Sequence, residues 1–235
     1  ISSRVMASIE LMTLSTIISI VVGVGLGVYT AQRQYQLPDR VWSGIASVFM
    51  VIPTVVLAIL VVFFAIEINM ATGYRIFYVT GLSSYNGENV LLALVDFLQH
   101  ILLPTVVLTI ISAVGYHLTQ RTYLLDEMHA DYVRTARAKG LTRKQAIRRH
   151  ALRASLIPTA VSVAFSIAGI FTGAVMTEKI FAIHGLGEYF VNCINGNNVH
   201  GAVAVAAFSG ACTLVGALLA DLFAAAIDPR IKMMG

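Results

Sequence analysis

Long apolar runs separated by short polar stretches dominate the chain. Five of them, over residues 6–31, 41–66, 95–118, 156–177 and 199–227, exceed the roughly 20 residues that a helix needs to cross the ~30 Å hydrocarbon core of a bilayer. Runs of this length at high apolarity predict helices, because a spanning segment must satisfy its own backbone hydrogen bonds. The connections at 32–40 and 67–89 are short, polar or rich in glycine and serine, and 178–198 is rich in turn residues. Pro53 falls in the middle of the second run, where it predicts a kink. The pattern predicts one all-α domain over 1–235, a polytopic membrane helical bundle.

The stretch 121–153 breaks the pattern. It carries Arg121, Arg134, Arg137, Lys139, Arg143, Lys144, Arg148, Arg149 and Arg153, nine of the sixteen Lys and Arg, against Asp126, Glu127 and Asp131. Each such cation costs about 2.5–3.5 kcal/mol at a bilayer centre, so the stretch does not span. Its local signals predict two short helices. The first runs over 126–139 and ends at Gly140, suited to a left-handed cap. Thr142 followed by Gln145 has the spacing of a capping box at the start of the second. Ala146, Ile147, His150, Ala151 and Ala154 recur at helical spacing and predict the buried stripe of an otherwise cationic elbow.

Composition fits: 57% of residues are hydrophobic and 12% charged. The net charge of +4 is concentrated in the elbow and comes with no nucleic-acid-binding module, so nucleic acid is not an expected partner. Cys193 and Cys212 form neither a CxxC pair nor a disulfide framework. The glycines of Gly23-Val24-Gly25-Leu26-Gly27 lack the strand that precedes a dinucleotide fingerprint and point to close helix packing. No GxxxxGK[ST], HExxH or GxSxG motif occurs, and Asp96, His100, Ser112 and His117 are too loosely spaced for hydrolysis. Placing the elbow, 32–40 and the tail on one side gathers thirteen of the sixteen basic residues there, with Arg230 and Lys232 among them and Arg4, Arg75 and Lys179 opposite. Cytoplasmic loops are the basic ones, which makes that side cytoplasmic.

DYVRTARAKGL followed by RHALRASLIP resembles the cytoplasmic coupling loop, or EAA loop, of binding-protein-dependent ABC importer permeases, in the form found in the oligopeptide, dipeptide and nickel branch. Where the general family pattern has Glu-Ala-Ala, this chain has Arg134, Thr135 and Ala136. VIPTVVLAIL, HILLPTVVLTI, the EKIF…GLG segment from Glu178 to Gly187 and Asp228-Pro229-Arg230 are similar to segments of the same branch. The resemblance covers nearly the whole chain, without the family's N-terminal helix and the outer loop that follows it.

The resemblance implies a transmembrane permease subunit of an ATP-driven importer of oligopeptides or dipeptides in a bacterial-type cytoplasmic membrane. Its implied partners are a second homologous permease subunit, two ATP-binding subunits and an extracytoplasmic substrate-binding protein. No cofactor is expected in this chain, and ATP and Mg are expected in the ATPase subunits. The coupling contact falls on Arg134, Thr135, Ala136, Gly140 and Leu141, with Ala136 and Gly140 permitting close approach. Pro53, Asn195 and Asn198 are candidates for the substrate path. An importer of nickel or another small solute, and a self-sufficient channel or ion-driven carrier, are the alternatives. Glu10, Asp96 and Asp221 are too scattered to form the ion relay that a carrier needs, and His100, His117, His184 and His200 share no ligand spacing for a metal.

Overall fold

The structure, a computed structural model, describes residues 2–85, 87, 89–171 and 173–227. Asp228-Pro229-Arg230 and Lys232 lie outside the described residues. The described chain is helical: α1 (Ser2–Ala31), α2 (Leu37–Val51), α3 (Thr54–Thr72), α4 (Val90–Met128), α5 (Asp131–Ala138), α6 (Arg143–Ala146), a π-helical turn (Ile147–Ala151), α7 (Leu152–Ile170), α8 (Val175–Ile180), α9 (Leu186–Asn195) and α10 (Val199–Ile227). Among the described residues, five stretches are long and apolar enough to cross a membrane: Ser3–Ala31, Thr54–Thr72, Val90–Met128, Arg143–Ile167 and Val199–Leu222.

Three expected spanning runs and the first elbow helix differ from the sequence expectation, each for a local reason. The expected run 41–66 is two helices, because Pro53 takes an extended conformation (φ −59°, ψ 138°) that ends α2 and starts α3 instead of kinking one helix. The expected run 95–118 is part of a 39-residue α4, about 58 Å long at 1.5 Å per residue. Nothing between 118 and 128 breaks a helix, so α4 carries Arg121 to Met128 beyond what a ~30 Å core requires. The first elbow helix is correspondingly shorter than 126–139. The expected run 156–177 begins earlier, is continuous with α6 through the π-helical turn, and stops at Ile170 ahead of Gly173 at φ +76°.

Contacts divide the chain into two compact units. The first comprises 1–17, 52–111 and 168–213. Here α8 packs on α3 and α9, and Leu11, Leu57, Ile101, Val107, Phe181, Ile183 and Leu186 are buried. The second comprises, of the described residues, 18–51, 112–167 and 214–227, and contains the elbow.

Candidate functional site

The elbow is a defined joint. At the end of α5 the Leu141 amide donates to the Ala136 carbonyl (3.3 Å) and the Gly140 amide to the Arg137 carbonyl (3.0 Å), with Gly140 at φ +94°. These two bonds form a Schellman motif, which needs a left-handed residue at the position Gly140 occupies. One residue on, the Thr142 hydroxyl accepts from the Gln145 amide (3.3 Å) and the Gln145 side chain accepts from the Thr142 amide (3.0 Å). Leu141 therefore follows one helix end and precedes the next helix start. It packs on a buried cluster of Ala31, Leu124, Val133, Ala136, Ala146, Ile147 and Ala151, so one side chain seals both caps onto the ends of α1 and α4.

The expected coupling residues divide into two groups. Arg134 and Thr135 are exposed on α5, whereas Ala136 is 7% exposed and packs inside the elbow. Open space surrounds the position where Gly140 would carry a Cβ, so within this chain its requirement is conformational and no neighbour demands close approach. His150, expected on the buried stripe, is exposed, while Ile147 and Ala151 are buried. The π-helical turn at Ile147–Ala151 is wider than an α-turn and brings Ile147 and Ala151 onto one face, rotating His150 outward. The Tyr132 hydroxyl donates to the Glu127 carboxylate. Partial burial and that carboxylate push the Tyr132 phenol above its usual range.

Polar anchors hold the elbow's base. Arg121 donates from Nε to Asp39 Oδ1 (2.6 Å) and from a terminal nitrogen to Oδ2 (2.9 Å). Asp39, 2% exposed, also accepts from the Tyr35 amide (2.9 Å) and the Ser43 hydroxyl (3.3 Å). Hydrogen bonds from Arg121, outweighing burial, hold the Asp39 carboxyl below the usual carboxylate range. Deeper along α4, His117 hydrogen-bonds Thr30 (3.1 Å), and Gln120 donates to Ser155 (3.0 Å) and accepts from Thr159. Gly23 and Gly27 bring α1 against α4: a Cβ on Gly23 would lie 2.6 Å from the Ala113 carbonyl oxygen, and one on Gly27 would lie 2.8 Å from that of His117. Gly25, between them, faces open space. Ser112, Tyr116 and Thr119 on α4 and Thr159, Ser162 and Ser166 on α7 line a hydroxyl-rich recess of about 290 Å³ in the same unit.

In the first unit the Glu178 carboxylate, fully buried, accepts from Ser8 (2.7 Å) and from the amides of Ala174 (3.2 Å) and Glu188 (2.9 Å). Ser8 in turn accepts from the Leu186 amide (2.8 Å). Of the expected substrate-path residues, Pro53 is the exposed break before α3, Asn195 ends α9, and the Asn198 side chain accepts from the Gly201 amide (3.0 Å) as the cap of α10. No hydrogen bond joins these three among the described residues. Nor, among those residues, do three or more His, Cys, Asp or Glu side chains converge as a metal site would require.

A model of the family described as binding-protein-dependent transport system inner membrane component matches residues 23–233. The chain belongs to that family. Among its relatives, the oligopeptide transport system permease protein OppB of Mycobacterium tuberculosis (strain ATCC 25618 / H37Rv) is 41% identical over 231 residues, covering 98% of this chain and 71% of the relative. The OppB protein of Escherichia coli (strain K12) is 29% identical over 233 residues, 99% of this chain and 71% of that one. The dipeptide transport system permease protein DppB of Lactococcus lactis subsp. cremoris is 27% identical over 233 residues, with the same coverage. A chain of the MetNI methionine ABC transporter, solved in inward-facing conformations, shares the fold with a TM-score of 0.68 over 97% of this chain and 95% of that one, at 19% identity.

Membership makes the chain a multi-pass inner-membrane permease component of an ABC importer, and not an ATPase. Sequence reasoning located the elbow but missed its anchors. Asp39 stood in a short polar connection and Arg121 among nine cations, 82 positions apart. Only the fold reveals that they pair.

Proposed function

We propose that this permease imports oligopeptides or dipeptides, and that its elbow is the seat of a separate ATP-hydrolysing subunit. The carrying observation is the double-capped joint at Gly140–Thr142, which fixes α5 on the ends of α1 and α4 while presenting Arg134 and Thr135 outward. A sealed joint passes motion on as a rigid body, whereas a slack loop absorbs it. Arg134, Thr135 and Gly140 form the contact surface, and Ala136 and Leu141 its packed backing. The elbow and the connection after α1 occupy the cytoplasmic side, since they hold most of the chain's cations. The working assembly comprises a second homologous permease, two ATPase subunits that bind ATP and Mg, and an extracytoplasmic substrate-binding protein. The peptide cargo is supported by the relatives named oligopeptide and dipeptide permeases. The hydroxyl-lined recess suits a cargo of varied side chains, because hydroxyls both donate to and accept from a peptide backbone.

The test compares Gly140→Trp with Gly140→Ala in the full assembly. Both strain a left-handed position, but only tryptophan adds bulk at the contact surface. Copurification of the ATPases and cargo-stimulated ATP hydrolysis are expected to fall sharply with tryptophan and to persist with alanine. Unchanged assembly and turnover in Gly140→Trp would overturn the reading. Ser112→Phe is expected to reduce peptide uptake while leaving ATPase copurification intact.

A further inference from the structure

Beside the elbow lies a second concavity that the coupling surface does not use. It has a volume of about 580 Å³ and is lined by Arg33, Arg143, Lys144 and Arg148 together with Ile147 and Leu152. None of Arg134, Thr135, Ala136, Gly140 or Leu141 lines it. No carboxylate lines it either. Among the described residues no side chain pairs with Arg143, Lys144 or Arg148, and Arg33 lies 4.0 Å from the centre of the Tyr29 ring. Four converging cations without a counter-charge describe a site for an anion.

Its place narrows the anion. Its lining comes from residues 32–36, directly after the candidate span Ser3–Ala31, and from 143–152, the cationic start of the helical stretch whose later, apolar part is the candidate span within Arg143–Ile167, a position within reach of lipid headgroups. Its cations are exposed or half-buried, while Ile147 is buried and Leu152 partly so. Charge at the rim and apolar surface at the floor match a phosphodiester joined to glycerol and acyl chains better than a fully hydrated free ion. Basic pockets between spanning helices hold anionic headgroups for this reason. We propose that the cavity bounded by Arg33, Arg143, Lys144 and Arg148 binds the headgroup of an anionic phospholipid, wedged between the connection after α1 and the start of the second elbow helix. A lipid there would brace the elbow's outer side, as Leu141 seals its inner side. The proposal rests on the reading of the elbow as a membrane-surface element, and ATPase copurification tests that reading separately.

The test uses the purified complete assembly, with retained phospholipid counted by native mass spectrometry after exposure to mixed phosphatidylglycerol and phosphatidylcholine. Selective retention of phosphatidylglycerol is expected. Arg143→Gln with Arg148→Gln should weaken it ~30-fold, taking two cations near a membrane surface together. Removing two exposed charges outside the cavity, Arg137→Gln with Arg153→Gln, should leave it unchanged. Gln36→Glu, which adds an acid to the lining without deleting a cation, should also lower it. Equal loss in the two double variants would show a bulk charge effect and overturn the proposal. Displacement by excess inorganic phosphate would assign the cavity to a free ion and overturn it. So would retention by the permease pair alone with loss in the complete assembly, because a protein partner would then cover the cavity. If both cavity variants lose lipid yet keep their ATPases, the lipid site and the coupling surface are distinct.

Discussion

Replacing Asp39 with alanine removes the acceptor of four hydrogen bonds and leaves the Arg121 guanidinium without its counter-charge. Breaking a buried ion pair from one side costs about 3–5 kcal/mol. The Arg121 side chain retains 22% of its exposure and regains some hydration, so roughly 2–3 kcal/mol is the expected loss. For a chain of this size that corresponds to a fall in Tm of roughly 5–10 °C. The assay is thermal unfolding of the detergent-solubilised permease, followed by fluorescence-detected size exclusion, across a double-mutant cycle. Asp39→Leu combined with Arg121→Met leaves no orphaned charge and should recover most of the loss, for a coupling above about 1.5 kcal/mol. Single effects that add within ~0.5 kcal/mol would refute the pairing as the source of stability. The same pair sets a pH dependence. Because the folded carboxyl titrates below its ordinary value, its stabilisation is fully present above the unfolded pKa, about 4, and is lost as pH falls through the lower folded value. The stability advantage of the native chain over Asp39→Asn should therefore be flat above about pH 5 and close at more acidic pH.

Three further outcomes follow from the packing. Gly27→Leu should destabilise the chain by at least about 1–3 kcal/mol through overpacking against α4, while Gly25→Ala, facing open space, should be neutral or slightly stabilising in the same assay. Glu178→Ala should leave three donors without their acceptor at about 1–3 kcal/mol each if they stay buried, and so expose 173–188 to limited proteolysis. Thr142→Ala should cost about 1 kcal/mol by removing one arm of the capping box, and should reduce cargo-stimulated ATP hydrolysis more than ATPase copurification, since the joint loosens while the contact surface remains.

What could be read from the sequence tracks the range of the interactions involved. Caps act over three to six residues, so Gly140, Thr142 and Gln145 announced the elbow's joint in advance. Apolar run length anticipated long apolar helices but merged α2 and α3 into one run, 41–66, where the span candidate is Thr54–Thr72, and the crowded glycines at 23 and 27 announced close packing, although only the fold shows that Gly25 faces away from it. Boundaries were less legible where a charge was neutralised from afar. Arg121 stood at the start of the cationic stretch that does not span, yet Asp39 pairs with it and α4 continues to Met128. His150 obeyed helical periodicity until the π-helical turn changed the pitch. Pro53 marked a bend correctly in kind, but the size of the break was set by the extended residue itself. Glu178 belonged to a turn-rich segment by sequence and became its anchor only through Ser8, 170 positions away.

In the function proposed above, the elbow grips a motor subunit on the cytoplasmic side. Cysteine crosslinking from Thr135→Cys in the assembled, ATP-hydrolysing transporter tests it most directly, because Thr135 is exposed on α5 without contributing to the elbow's buried cluster. A crosslink to a nucleotide-binding subunit, inaccessible to thiol reagents applied from outside the cell, is the predicted result. Adducts with lipid alone, or labelling from the outer surface, would contradict it.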